Sequence, residues 1–259
     1  MHRLVAAFIF SFLLTGKELP AQQQSQGGES ALQLSLAALS TSSTSVEDAT
    51  LTGNGRRIAG STDENGTFTL RMLDSSGSRG DFSYPSGTIS EIRSSATRAG
   101  QWIGADGTAH ALASHNLFTE GAWFFPLTVI RHSLDTTHYQ TTFVGAETLD
   151  GEAVQHFRYT RTSSGSPATA AEIQDLSRTE IYLDATTYLP VRITFNDHPD
   201  RDARTYIPVE IRYSSYQPIN GTQVPFEIQQ YRNHALSLDL QVENATLNTS
   251  LAASLFNLQ

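Results

Sequence analysis

The chain has no cysteine, which excludes disulfides, thiol catalysis and thiolate metal sites together. It has no run of basic residues and a formal net charge of −9, so it lacks the clustered Lys and Arg that nucleic-acid phosphates require. Beyond the N-terminus, no apolar run reaches the length of a membrane span. A glycine-rich phosphate loop, G-x-S-x-G and H-E-x-x-H are also missing. The sequence therefore predicts no nucleic-acid partner and contains no local catalytic signature.

The N-terminus has the pattern of an export signal. His2 and Arg3 precede the apolar residues 4–14, and Leu19-Pro20-Ala21 ends in the small residue that a signal peptidase prefers. The apolar run is too short for the alternative, a membrane anchor. Residues 1–21 are therefore predicted to be a cleaved signal peptide. Residues 22–259 are expected to form a single domain, held by its sheet and core because it has no disulfides.

Residues 205–247 alternate between apolar and polar side chains, which is typical of strands with one apolar face. Asn220-Gly221 and Asn233-His234 interrupt the alternation, and both suit tight hairpin turns. Three consecutive antiparallel strands are therefore expected here. The apolar positions are Ile207, Val209, Ile211, Tyr213, Val224, Phe226, Ile228, Leu236, Leu238, Leu240 and Val242.

The rest of the chain predicts more antiparallel strands. Short alternating segments recur through residues 46–112 and 140–197, without the spacing of βαβ units, and one turn is expected at residues 63–66. Residues 29–39 are predicted to form a helix, residues 22–28 a loose segment, and residues 162–169 a flexible connection. The fold class is thus mostly β, with about ten or eleven strands in one sheet. Because neighbouring strands twist, such a sheet curls into an incomplete, half-barrel shape with an apolar concave face.

Residues 116–133 break the alternation and are rich in large apolar side chains, including Trp123, Phe124, Phe125 and Ile130. One interpretation is a core helix packed permanently on the sheet. The other is a removable helical cover over the concave face. Each buried methylene contributes roughly 0.8 kcal/mol, so a few acyl chains could displace a loosely packed cover.

The sequence gives little support for a metal site. The chain has eight histidines, but they follow no ligand spacing such as H-x-x-x-H. Asp197, Asp200 and Asp202 lie in one loop, which lacks the glycine and the terminal glutamate of a calcium loop. No metal, cofactor or catalytic residue is therefore predicted. A Ser-His-Asp set assembled in space, and with it a hydrolase, stays open as an alternative.

Several stretches resemble a known family in sequence and order. They are residues 66–70 (GTFTL), 78–82 (SRGDF), 179–184 (TEIYLD), 188–192 (YLPVR), 213–216 (YSSY), 220–221 (NG), 224–226 (VPF) and 253–256 (ASLF). Over residues 29–256 this order resembles the LolA/LolB-like lipoprotein-carrier superfamily. The resemblance implies a curved antiparallel half-barrel, an N-terminal helix and mid-chain helices that cover the mouth. It also implies that an arginine near the start of the third strand holds the cover, and Arg79 is the residue that matches it.

The resemblance implies a role for the protein in outer-membrane lipoprotein sorting. We expect a monomer in the periplasm, or alternatively a secreted one, that binds acyl chains of lipoproteins or other lipids non-covalently. An inner-membrane donor and an outer-membrane acceptor would be its partners. The alternative is a sensor of lipid or envelope stress that acts on a membrane-bound regulator. The predicted cavity and cover residues are Phe68, Leu70, Phe82, Trp123, Phe124, Phe125, Ile130, Ile211, Phe226, Ile228, Leu238 and Leu240.

Overall fold

The computed structural model describes residues 21–41, 45–74, 77–95 and 97–259. Its helices are α1 Ala21–Leu39, α2 Pro126–Leu134 and α3 Pro167–Leu176, with short 3₁₀ helices at Ser114–Leu117 and Ala253–Phe256. Its strands are β1 Asp48–Ala59, β2 Thr62–Leu73, β3 Gly77–Tyr84, β4 Gly87–Ser94, β5 Ala99–Ile103, β6 Ala109–Ala111, β7 Tyr139–Leu149, β8 Glu152–Arg161, β9 Thr179–Asp184, β10 Pro190–Asp197, β11 Ile207–Ile219, β12 Thr222–Arg232 and β13 Ala235–Leu247.

All the described strands belong to one curved, open antiparallel sheet, as the sequence predicts. The sheet has 13 strands in the order β6-β5-β4-β3-β2-β1-β13-β12-β11-β10-β9-β8-β7, so the predicted count of about ten or eleven is too low. Strands β1–β6 form one meander and β7–β13 the other, and the pairing of β1 with β13 joins them.

The connection between the two meanders explains why the concave face is covered. β6 and β7 lie at opposite edges of the sheet and do not pair, so the chain must pass from one edge to the other. Residues 112–138, the crossing segment, make this passage and contain α2. Helix α1 packs beside α2, and both contact β7. The mid-chain helix and the N-terminal helix thus lie against the sheet where the sequence predicts a cover.

The predicted apolar face is the concave face. Ile211, Ile228 and Leu240 are fully buried and lie in one hydrophobic cluster with residues of α1 and α2. The strand register places them in successive strands, with Ile228 opposite both Tyr213 and Leu240. The turns at Asn220 and Asn233 are also confirmed, and both residues adopt positive φ angles. Period-two alternation therefore assigned the strands of the second meander to the correct face.

The predicted turn at residues 63–66 is wrong. The chain reverses at Gly60-Ser61, where Gly60 has a φ of +60°, and residues 63–66 continue β2. A Cβ atom at Gly66 would lie 2.0 Å from the Ser83 carbonyl oxygen. Asn65-Gly66 therefore does not make a hairpin turn, and the glycine allows β3 to approach closely.

Helix α1 extends beyond its predicted limits, and helix α3 is not among the predicted elements. Helix α1 begins at Ala21, so residues 22–28 are helical rather than loose; the glutamines there are good helix formers. The flexible connection predicted at residues 162–169 ends early, because α3 begins at Pro167. Ser166 caps α3 by accepting a hydrogen bond from the Thr169 N–H at 3.3 Å.

The predicted signal peptide, residues 1–21, lies outside the described residues except for Ala21. Of the helices in the described part of the chain, none has the length and apolar character needed to cross a membrane.

Replacing Gly53 by alanine should lower the free energy of unfolding by about 3 kcal/mol, measured by urea unfolding. The added Cβ would lie 2.0 Å from the Gln241 carbonyl oxygen and force β1 away from β13. Gly60→Ala is the control, because its Cβ meets no atom within 4 Å and only the positive φ is unfavourable. That variant should lose only about 1 kcal/mol. Equal losses in the two variants would contradict the importance of the β1–β13 contact.

Candidate functional site

One end of the concave face is filled and the other is open. Ser40, directly after α1, forms a bridge with Thr222 at the first residue of β12, and the helices occupy this end. At the opposite end of β12, beside Gln230 and Arg232, there is a cavity of about 290 Å³. It is lined by Arg57, Ile58, Ala59, Leu70, Ser78, Gly80, Phe82, Tyr84, Ile89, Glu91, Arg93, Gly121, Trp123, Phe124, Phe195, Asp197, Gln230, Arg232, Ser237 and Leu238.

The predicted cavity residues divide into two groups. Leu70, Phe82, Trp123, Phe124 and Leu238 line the cavity. The others belong to or pack against the hydrophobic cluster beside it: Phe68, Phe125, Ile130, Ile211, Phe226, Ile228 and Leu240. The structure thus brings all of them to one face, and only the first group borders open space.

The crossing segment is held over the cavity by side chains that bond to its backbone carbonyl groups. Arg93 on β4 donates to the Asn116 oxygen at 2.8 Å, and Arg161 on β8 donates to the Phe118 oxygen at 3.2 Å. The Tyr213 hydroxyl on β11 donates to the Trp123 oxygen. These donors come from both meanders, so the segment ties the two sides of the sheet together.

Arg79 does not have the position that its predicted role requires. Its guanidinium pairs with Asp81 at 2.9 Å and donates to the Leu255 carbonyl oxygen at 3.2 Å. It is paired with Ile92 in the β3–β4 register, on the convex face. Arg79 therefore holds the C-terminal 3₁₀ helix against the sheet, and Arg93 is the arginine of this meander that bonds to the crossing segment.

A buried ion pair connects two parts of the crossing segment. His132 Nδ1, on α2, lies 2.6 Å from Oε2 of Glu120, whose other oxygen accepts the Ala122 N–H. Burial is the largest single influence and acts to raise the pKa of Glu120, but the charge and hydrogen bond of His132, the Ala122 N–H and the charge of Arg161 together lower it to about 2. Burial likewise acts to lower the pKa of His132, which Glu120 nevertheless raises above its ordinary value. Arg161 opposes that rise, and Asp74 adds to it.

Charged side chains make up part of the cavity lining; Arg57, Glu91, Arg93, Asp197 and Arg232 are called its charged rim. Arg57 pairs with Glu64 at 3.0 Å, and Arg232 pairs with Asp197 at 2.6 Å. Arg93 pairs with Glu91 at 2.8 Å. Desolvation acts to raise the pKa of Glu91, but Arg93 and Arg232 hold it below its ordinary value. Glu91, on β4, and Arg232, on β12, both line the cavity, and their strands belong to different meanders of the sheet.

Sequence reasoning missed this rim, although a signal was present. Glu91 and Arg93 occupy alternate positions of a strand whose register places them beside the inward-facing Gly80 and Ser78. Charged residues at positions that alternation assigns to an apolar face mark a site where the face meets water or a ligand. The same reasoning would have selected Arg57, which lies opposite Leu238.

The described residues contain no group of three or more His, Asp or Glu side chains that could hold a metal ion. In the acidic loop, Asp202 instead accepts hydrogen bonds from the Arg204 N–H and the Thr205 hydroxyl. Asp197 pairs with Arg232. The loop has the hydrogen bonds of an ordinary acidic turn.

His132→Gln should lower the free energy of unfolding by about 2 kcal/mol between pH 4.5 and 6.5, the ordinary pKa values of Glu and His, where the pair is fully charged. In the unmodified protein this contribution is lost as pH rises through the raised pKa of His132, and also as pH falls towards about 2. The variant should lack the alkaline loss. Thermal unfolding across pH tests this, with the exposed His138→Gln as control. Parallel pH profiles of the unmodified protein and His132→Gln would contradict it.

No protein-family model matches the chain, and no curated protein matches its sequence. Solved structures do match its fold. An outer membrane lipoprotein-sorting protein domain from Vibrio parahaemolyticus aligns over 88% of this chain and 97% of its own, with 11% identity and a TM-score of 0.51. A LolA superfamily protein from Nitrosomonas europaea aligns over 93% of this chain and 98% of its own, with 12% identity and a TM-score of 0.53. The chain therefore has the fold of LolA superfamily and outer membrane lipoprotein-sorting proteins, as its sequence resemblance implies.

Proposed function

We propose that this protein binds an acyl chain of a lipoprotein or another lipid in its concave face and carries it through the periplasm. The observation that supports the proposal most directly is the cavity of about 290 Å³ between the sheet and Trp123-Phe124. A fully packed interior would leave no room for a hydrocarbon chain. The fold shared with lipoprotein-sorting proteins supports the same function.

The way the crossing segment is attached suits reversible loading. Near the cavity, Arg93, Arg161 and Tyr213 each donate to a carbonyl oxygen of the segment, and Arg93 also donates to the Thr119 hydroxyl at 3.1 Å. The segment is not part of the hydrogen-bond ladders of the sheet. The neutral bond of Tyr213 contributes about 1 kcal/mol net, and each bond from a charged arginine about 1.5–3 kcal/mol. An entering chain gains roughly 0.8 kcal/mol for each methylene that it buries. A chain of moderate length can therefore offset the loss of these bonds without unfolding the sheet.

Binding and release then account for the activity, without catalysis or a cofactor. The predicted signal peptide supports export, and the fold supports periplasmic partners: an inner-membrane donor and an outer-membrane acceptor. We propose that the carrier acts as a monomer. Its cavity would be bordered by Leu70, Phe82, Trp123, Phe124 and Leu238, and the packed cluster around Ile211 and Ile228 would support them.

Phe82→Asp should weaken uptake of a fluorescent fatty acid at least about ten-fold, because it places a charge in the apolar part of the cavity. Protein purified from the periplasm should also yield bound lipid by mass spectrometry, and the variant should yield less. Val144→Asp is the control, since Val144 is 47% exposed on edge strand β7 and should leave uptake unchanged. Absence of both extractable lipid and fatty-acid uptake in the unmodified protein would overturn the proposal.

A further inference from the structure

The cavity has a composition that a purely apolar ligand does not explain. Its lining combines apolar side chains, among them Phe82, Trp123 and Leu238, with the charged side chains of the rim. Charged groups next to a low-dielectric wall interact more strongly with a ligand than they would in water. A hydrocarbon without a polar head would make no polar contact with these ion pairs.

The size of the cavity limits the apolar part of the ligand. A volume of about 290 Å³ is at the lower end of the usual range of ligand pockets. This is enough for one chain and too little for several side by side. The ligand that fits the covered cavity is therefore single-chained.

The charges of the rim determine which charge the head group of the ligand can carry. Arg57, Arg93 and Arg232 are each paired with a carboxylate, from Glu64, Glu91 and Asp197 respectively, so these ion pairs have no net charge. An anionic head would be attracted by the arginines but repelled by their carboxylate partners. A cationic head would be attracted by the carboxylates but repelled by the arginines. A head that contains both charges can face each kind of group.

The accessible charges are arranged for such a head. The side chains of Arg57 and Arg232 are 31% and 43% exposed, and only β13 lies between their strands. The side chain of Glu91 is 36% exposed, on the other side of the cavity. Arg93, at 14%, is already bonded to the crossing segment. The two exposed arginines suit a phosphate, and Glu91 suits an ammonium group.

We infer that the cavity binds single-chain amphiphiles with a zwitterionic head, of the phosphocholine or phosphoethanolamine type, with the phosphate at Arg57 and Arg232 and the ammonium at Glu91. This inference rests on the proposed function and specifies its ligand class. The chain enters between Phe82 and Trp123, and the head stays at the rim in contact with water.

Three probes with the same dodecyl chain test the head selectivity: dodecylphosphocholine, dodecanoate and dodecyltrimethylammonium, each below its micelle concentration. Isothermal titration of the purified protein should show dodecylphosphocholine binding at least about ten-fold more tightly than the other two. Arg57→Gln should remove most of this preference, because the phosphate loses a partner, while Arg57→Lys should retain part of it. Arg56→Gln is the matched control: Arg56 is the adjacent residue of β1, pairs with Asp63 and does not line the cavity.

The outcomes separate the inference from the function on which it rests. Equal affinity for the three probes, or tightest binding of dodecanoate, would overturn the zwitterion selectivity and leave acyl-chain binding in place. A preference for dodecylphosphocholine that persists in Arg57→Gln would overturn the assignment of the head to the rim. Failure of all three probes to bind would overturn both. Circular dichroism of each variant establishes that a lost preference does not reflect unfolding.

Discussion

The pairing of β1 with β13 is the interaction on which the rest of the structure depends. It joins two meanders, one from each half of the chain, into a single sheet. Because the outer strands β6 and β7 remain unpaired with one another, the sheet curls without closing. The chain must then cross from one edge to the other, and its crossing segment lies over the concave face. The concave face, its cover and the cavity between them all follow from this one topological arrangement.

Much of the fold, and less of the site, could be predicted from the sequence. Period-two alternation placed Ile211, Ile228 and Leu240 on the correct face, because side-chain direction in a strand depends on local geometry alone. The role of each glycine was harder to predict. Gly66 permits two strands to approach closely, whereas Gly60 forms the turn. Only the tertiary structure distinguishes these two roles. Arg79 was assigned to the cover by positional resemblance, but its register directs it to the convex face. The sequence also could not show which side chains border open space. Leu70 and Ile228 both occupy apolar positions of alternating strands, but of these two Leu70 lines the cavity and Ile228 is packed in the cluster beside it.

The two ends of the concave face differ in packing: one is filled by a hydrophobic cluster and the other contains the cavity. At one end, α1 and α2 pack against the sheet and bury the largest side chains, which gives the protein a core without disulfides. At the other end, Phe82 and Leu238 line the cavity, together with Arg57, Glu91 and Arg232. Under the proposed function, the apolar surface left open at this end takes up the ligand. Loading would then disturb the hydrogen bonds of Arg93, Arg161 and Tyr213 to the crossing segment without breaking the β1–β13 pairing.

Photo-labelling with a fatty acid that carries a diazirine at its chain end measures most directly where an acyl chain binds. After irradiation, mass spectrometry of the digested protein identifies the labelled residues. Binding in the concave face predicts labels on β3, β4 and residues 121–124, which line the cavity from both sides. Labels confined to the convex face, for example around Arg79 and the C-terminal 3₁₀ helix, would contradict the account.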